Sequence, residues 1–146
     1  MSLVYFTDRD LGKRFPEILS AAGLRVERHH DHFAPDATDE EWLGEIGKKG
    51  WIAITHDRRI RYKPNELEAV VRNRVCLLVV VGAVPFAELA SAFVATLPRI
   101  EGFLARHNPP LIAKVYRPSP VVGAHGATSG NVQLWYPTEG PRRRRT

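Results

Sequence analysis

Short, uniformly apolar runs alternate along the chain with segments whose apolar residues recur at helical spacing. Leu3 to Phe6 is the first run, four residues long and closed by Thr7-Asp8, which predicts a buried strand. Phe15, Ile18, Leu19 and Ala22 follow at helical spacing and stop at Gly23. A second strand is expected over Leu24–Glu27. The next stretch, His29 to Ala37, is polar, contains Pro35 and reads as a loop long enough to be a lid. Thr38-Asp-Glu-Glu41 has the spacing of a capping box and opens a helix that ends at Lys48-Lys49-Gly50. Trp51 to Ile54 is the third strand, and it closes on Thr55-His56-Asp57 much as the first closes on Thr7-Asp8.

Beyond a basic loop at Arg58–Lys63, Pro64 starts a helix that runs to about Arg72, and Val75 to Val81 is a continuous apolar strand. A long helix from Pro85 carries Phe86, Leu89, Phe93, Leu97, Ile100 and Leu104 on one face, with a kink expected at Pro98. Leu111 to Tyr116 is the last core strand. Gly123 to Gly130 is turn-like, and Val132 to Tyr136 has the character of a short extra strand. Strands alternating with helices, several of them apolar throughout, predict a parallel α/β sheet covered on both faces. We expect one domain over residues 1–118 and a C-terminal extension over 119–146 that ends in a basic Arg tail.

The chain has 146 residues, 44% hydrophobic and 25% charged, enough for one core without covalent staples. Its single cysteine, Cys76, lies within an apolar run and is expected to be an inert buried thiol. Neither a leader nor a membrane span is indicated, so a cytoplasmic location is expected. Net charge is +5, from 21 basic and 16 acidic residues, but Arg142 to Arg145 supply four of those cations. Without them the balance is 17 against 16. Attraction for nucleic acid must therefore come from local patches or from the tail.

The chemistry is carried by acids at the ends of the predicted strands. In open α/β sheets ligands bind beyond the carboxyl ends of the strands, where Asp8 and Asp57 fall. Like charges facing one another across such a crevice call for a cation, and carboxylate oxygens suit Mg²⁺ or Mn²⁺. The alternative is that each Asp caps a helix. Asp39 shares a helical face with Trp42, Leu43 and Ile46, so a first-turn carboxylate is directed toward the sheet. Glu40 is its substitute, and Glu41 is engaged by the capping box. Arg58, Arg59, Arg61 and Lys63, with Tyr62 among them, border Asp57 and suit phosphate contacts and base stacking, or else form a solvated basic loop. The cluster His29, His30, Asp31 and His32 has no complementary Cys or His set, and a surface loop is expected there.

The order of these features resembles the PIN-like domains, including VapC-type toxin ribonucleases. Asp8 follows a strand, Ala21-Ala22-Gly23-Leu24 ends a helix, Asp39-Glu40-Glu41 opens another, and Ile54-Thr55-His56-Asp57 ends a strand. The resemblance spans roughly residues 3 to 117. It implies a three-layer α/β/α sandwich with a central, mainly parallel sheet, and a metal-dependent endoribonuclease that hydrolyses phosphodiester bonds in RNA. The catalytic acids would be Asp8, Asp39 or Glu40, and Asp57, holding Mg²⁺ or Mn²⁺. Such proteins are often toxins paired with an antitoxin protein, and a homodimer is compatible with the resemblance. The pattern departs where a fourth acid usually follows the third, because arginines stand there; Asp10 and Glu66 are the candidates for that ligand. Two rival readings remain: a response-regulator-like receiver phosphorylated on Asp57, and a catalytically inactive PIN-like binding module.

Overall fold

In the computed structural model, which describes residues 3–118 and 130–137, a six-stranded sheet is covered by helices on both faces. The strands are β1 (Val4–Thr7), β2 (Arg25–Arg28), β3 (Ile52–Thr55), β4 (Cys76–Val81), β5 (Leu111–Tyr116) and β6 (Asn131–Tyr136). Helices α1 (Arg14–Ala21), α2 (His29–His32), α3 (Asp39–Lys49), α4 (Pro64–Arg72) and α5 (Phe86–Arg106) connect them. Spatial order is β2-β1-β3-β4-β5-β6, parallel throughout except for the antiparallel β5–β6 pair. The fold is thus an α/β sandwich of three layers.

The uniformly apolar strands are explained by two cores, because alternate side chains of one strand enter opposite faces. On one face Tyr5, Ile52, Ile54, Leu78 and Val80 pack against Phe15 and Leu19 of α1 and against Leu89, Phe93, Ile100 and Phe103 of α5. On the other, Phe6, Ala53, Leu77, Val79 and Ile112 pack against Trp42, Leu43 and Ile46 of α3 and Ala69 and Val70 of α4. Cys76 belongs to the first core, where burial pushes its thiol up to about 12. Helix α3 starts with a complete capping box: the Glu41 N–H donates to Thr38 Oγ1 at 3.2 Å and the Thr38 N–H to Glu41 Oε1 at 2.7 Å. It ends at Gly50, whose φ of 71° is left-handed. Gly47 lets α3 approach the end of α4, since a Cβ there would collide with the Asn73 backbone.

The structure refines the sequence reading at several points. Strand β2 begins one residue later than expected, at Arg25. The stretch after it is not wholly loop: His29–His32 forms a helical turn, because His29 turns inward and its ring packs at 5.3 Å from that of Phe33 and 6.2 Å from that of Phe6. The long helix expected from Pro85 onward is α5, which contains Pro98 and runs to Arg106. Residues 131–136 enter the main sheet as its edge strand, with Val115 facing Val132 and Tyr116 facing Asn131. Most of the turn-like segment 123–130 and the tail Arg142–Arg145 lie outside the described residues. No helix among the described residues is long and apolar enough to cross a membrane.

Candidate active site

The chain steps from β1 to β2 on one side and then crosses back past β1 to β3 on the other, so the carboxyl ends of β1 and β3 flank a switch point of the sheet. Register then decides which residues meet. Tyr5, Phe6 and Thr7 pair with Ile52, Ala53 and Ile54, and the Asp8 N–H donates to the Ile54 carbonyl at 2.9 Å. One residue further on, Asp8 lies beside Thr55.

Thr55 is fully buried and is the hub of the site. Its hydroxyl lies 2.8 Å from Asp8 Oδ2 and 3.2 Å from Asp10 Oδ2, and it accepts from the Asp57 N–H at 3.2 Å. A hydroxyl has one proton, so it cannot fully satisfy both carboxylates. Asp8 also accepts from the Arg9 N–H at 2.8 Å, and Asp10 from the His56 N–H at 3.2 and 3.3 Å. Asp8 is only 7% exposed. Burial, then the neighbouring Asp10 charge and more weakly that of Asp39, push its carboxyl up to about 7 against the donors Thr55 and Arg9. Asp10 is raised as well, chiefly by desolvation of its carboxylate, although the residue reaches solvent along one side.

The second half of the site is compensated from within the chain. Lys63 Nζ donates to Asp57 Oδ2 at 2.7 Å and stands 4.0 Å from Asp39 Oδ2. Burial works to raise the Asp57 carboxyl, but the Lys63 and Arg59 donors and their charges outweigh it and hold the carboxyl below its ordinary value. Asp57 also accepts from the Arg59 N–H at 3.0 Å. Asp39 opens α3 with its carboxylate turned inward, accepting from the Trp42 indole at 2.9 Å. The apolar stripe of α3 accounts for that direction, since the indole it binds is fully buried.

The structure thus brings Asp8, Asp10, Asp39 and Asp57 to one edge of the sheet, linked through Thr55 and Lys63. Glu66 is half-buried in the first turn of α4, where its charge reaches Lys63. Glu40 is exposed, with no hydrogen bond or ion pair to the cluster. The basic loop divides. Arg58 and Arg59 are exposed and Tyr62 is 65% exposed, whereas Lys63 belongs to the acids. Arg61 is held against β6, donating to the Trp135 carbonyl at 2.9 Å with its guanidinium within 5.3–5.9 Å of the Tyr62, Tyr136 and Trp135 rings.

Hard oxygen donors with buried, uncompensated charge suit a divalent cation such as Mg²⁺ or Mn²⁺. Spacing sets a condition on that fit: among the described residues no three His, Cys, Asp or Glu side chains are gathered closely enough to hold a metal ion as they stand. The acids form two pairs, one around Thr55 and one around Lys63. Sequence reasoning missed the bridging role of Thr55; the repeated Thr-Asp strand ending, Thr7-Asp8 and Thr55-His56-Asp57, was its only trace.

The PIN like domain family matches residues 3–82, more than half of the chain and the whole of this site. The chain belongs to that family, whose members are generally nucleases. The receiver reading falls with this match. Neither the curated proteins nor the solved structures give a match to the chain.

Proposed function

We propose that this protein is a metal-dependent endoribonuclease and that Asp8, Asp10, Asp39 and Asp57 are its working acids. The observation that supports this most is that Asp8, nearly buried, faces two further carboxylates with a single shared hydroxyl between it and Asp10. An uncompensated buried charge of this kind is unfavourable and is retained where a cation is to be bound. Asp8 and Asp10, with Asp39 or Asp57 turned toward them, would hold Mg²⁺ or Mn²⁺. When bound, such an ion lowers the pKa of its water and polarises the scissile phosphate. Thr55 fixes the orientation of the Asp8 and Asp10 carboxylates. Lys63 keeps Asp57 ionised and adds a positive charge where phosphate oxygens gain charge during the reaction. Arg58, Arg59 and the exposed ring of Tyr62 border the acids and suit the backbone and bases of an unpaired strand.

The role we assign is that of the toxin in a type II toxin–antitoxin pair, held inactive by an antitoxin protein. That assignment rests on the family resemblance alone. Incubation of the purified chain with single-stranded RNA and Mg²⁺ or Mn²⁺ tests the activity: cleavage abolished by EDTA and by Asp8→Asn supports it, and metal-independent or absent cleavage refutes it. Co-expression with the protein encoded next to it tests the pairing, which requires a stable complex and loss of cleavage. A binding module without catalysis is the second reading. It is favoured by the two-pair spacing of the acids and by the ammonium of Lys63 seated between Asp39 and Asp57.

A further inference from the structure

On the other side of Asp8 from the basic loop lies a cavity of about 320 Å³ that opens between the ends of β1 and β2 and the start of α1. Arg9, Lys13, Arg28, His29 and His30 line it, with Asp8 at the edge it shares with the acid cluster. Thr7 and Gly12 complete the wall; the left-handed φ of 68° at Gly12 turns the chain so that Arg9 and Lys13 flank the same opening. Three permanent cations against one carboxylate make a strongly basic pocket in a chain that is close to neutral outside its Arg tail. Among the described residues Arg9 and Lys13 have no hydrogen-bond or ion-pair partner for their side chains, while Arg28 is paired with Asp31 at 3.5 Å.

His29 is the second, independent feature. It is 98% buried as a residue and lines the cavity, and its ring nitrogens, which have no hydrogen-bond partner among the described residues, are not fully sealed from it. Burial and the nearby Arg9 charge lower its pKa against the Asp39 charge, which favours the neutral ring with one donor and one acceptor. Ring nitrogens that reach the cavity without a partner in the chain are free to pair with a ligand's polar atoms. The cavity's size falls at the lower end of the ~300–1,000 Å³ range of small-molecule sites, which suits one nucleotide unit.

We propose that this cavity is a nucleotide-phosphate subsite, in which Arg9, Lys13 and Arg28 take the phosphate of one nucleotide and His29 a hydroxyl or phosphate oxygen of the same unit. It extends the substrate path across Asp8, opposite the Arg58–Tyr62 loop, and rests on the nuclease reading only for the identity of the strand. The phosphate has two sources, a terminal monophosphate or an internal phosphodiester. The guanidinium groups and the ammonium recognise either.

The test uses the whole chain in EDTA at low salt, so that binding is read without turnover. Calorimetric titration with a nucleoside 5′-monophosphate should give binding that the matching nucleoside lacks. Arg9→Ala and Lys13→Ala should each weaken it by about tenfold, the scale of one charge-assisted hydrogen bond. Arg72→Ala, an exposed cation on α4 paired with Glu68, should leave it unchanged. Tetranucleotides separate the sources: a preference for the 5′-phosphorylated form assigns a terminal phosphate, and equal affinity for the 5′-hydroxyl form an internal one. Nucleoside binding as tight as nucleotide binding, or equal affinity in Arg9→Ala, Lys13→Ala and wild type, overturns the proposal. Absence of RNA cleavage with nucleotide binding intact would defeat the nuclease reading and leave the subsite standing.

Discussion

Two pairs of aspartates sit at the same sheet edge and behave oppositely. Asp39 and Asp57 have an ammonium between them, supplied by Lys63, and Asp57 is held ionised. Asp8 and Asp10 share one hydroxyl proton from Thr55, and burial raises both, with added repulsion from Asp10 on Asp8 and from Asp57 on Asp10. Identical side chains therefore differ in how far they are withdrawn from solvent and in whether the chain itself provides the countercharge. The difference teaches where an external cation has most to offer: at the Thr55 pair, where no positive side chain reaches the carboxylates at ion-pair distance among the described residues.

The largest effect should come from removing charge at the uncompensated pair. Asp8→Asn is expected to lower RNA cleavage by at least about 10³-fold, since the charge stabilisation given by a bound metal is worth several kcal/mol. The same variant should be as stable as wild type or more so, because an amide carries no buried charge. A variant that loses activity only because it melts would break the comparison; thermal denaturation beside the cleavage assay decides.

Thr55→Val keeps the shape of the hub and deletes its hydroxyl. It leaves the Asp57 N–H without its acceptor and the Asp8–Asp10 pair without its donor, so a loss of about 1–3 kcal/mol is expected in urea denaturation. A loss well under that range would mean the hydroxyl is not the bridge.

The two pairs should also titrate with opposite signs. The folded Asp8 carboxyl lies near 7 against an ordinary 3.8, so its neutral form stabilises the fold below about pH 4, and that stability is lost as the pH rises toward 7. Asp57 is depressed, so its contribution is present above about pH 4 and is lost on further acidification. In EDTA the melting temperature should therefore fall between about pH 4 and pH 7, and millimolar Mg²⁺ or Mn²⁺ should restore it at the upper end. Asp8→Asn should flatten that fall. A melting temperature that stays level in EDTA over this window would show that Asp8 is not strained by its charge.

The smallest effect belongs to the compensated pair. Lys63→Met should change stability by less than about 1 kcal/mol, because the Lys63 side chain is 38% exposed. It should, however, raise the Asp57 carboxyl back toward its ordinary value, which carbon-detected NMR titration can follow. If Asp57 is unmoved, the ammonium is not what holds it ionised.

The amino-acid sequence by itself determined the layered fold, because uniformly apolar strands such as Cys76–Val81 are only stable when both faces are covered, and helical stripes such as Trp42, Leu43 and Ile46 supply the cover. It also placed Asp8 and Asp57 at strand ends and turned Asp39 inward, since local periodicity fixes which way a side chain faces. Strand order was less decisive for function: β2-β1-β3-β4-β5 is an order shared with flavodoxin-like folds, so the family match, not topology, removed the receiver reading. Tertiary structure alone decided which acids share Thr55, that Lys63 serves carboxylates while Arg61 is held on β6, and that Arg9, Lys13 and Arg28 surround one cavity. Those pairings join residues up to 74 positions apart, as in Arg61 to Trp135. Contacts of that kind depend on strand register and helix docking, which a linear pattern of apolar and polar residues leaves unspecified.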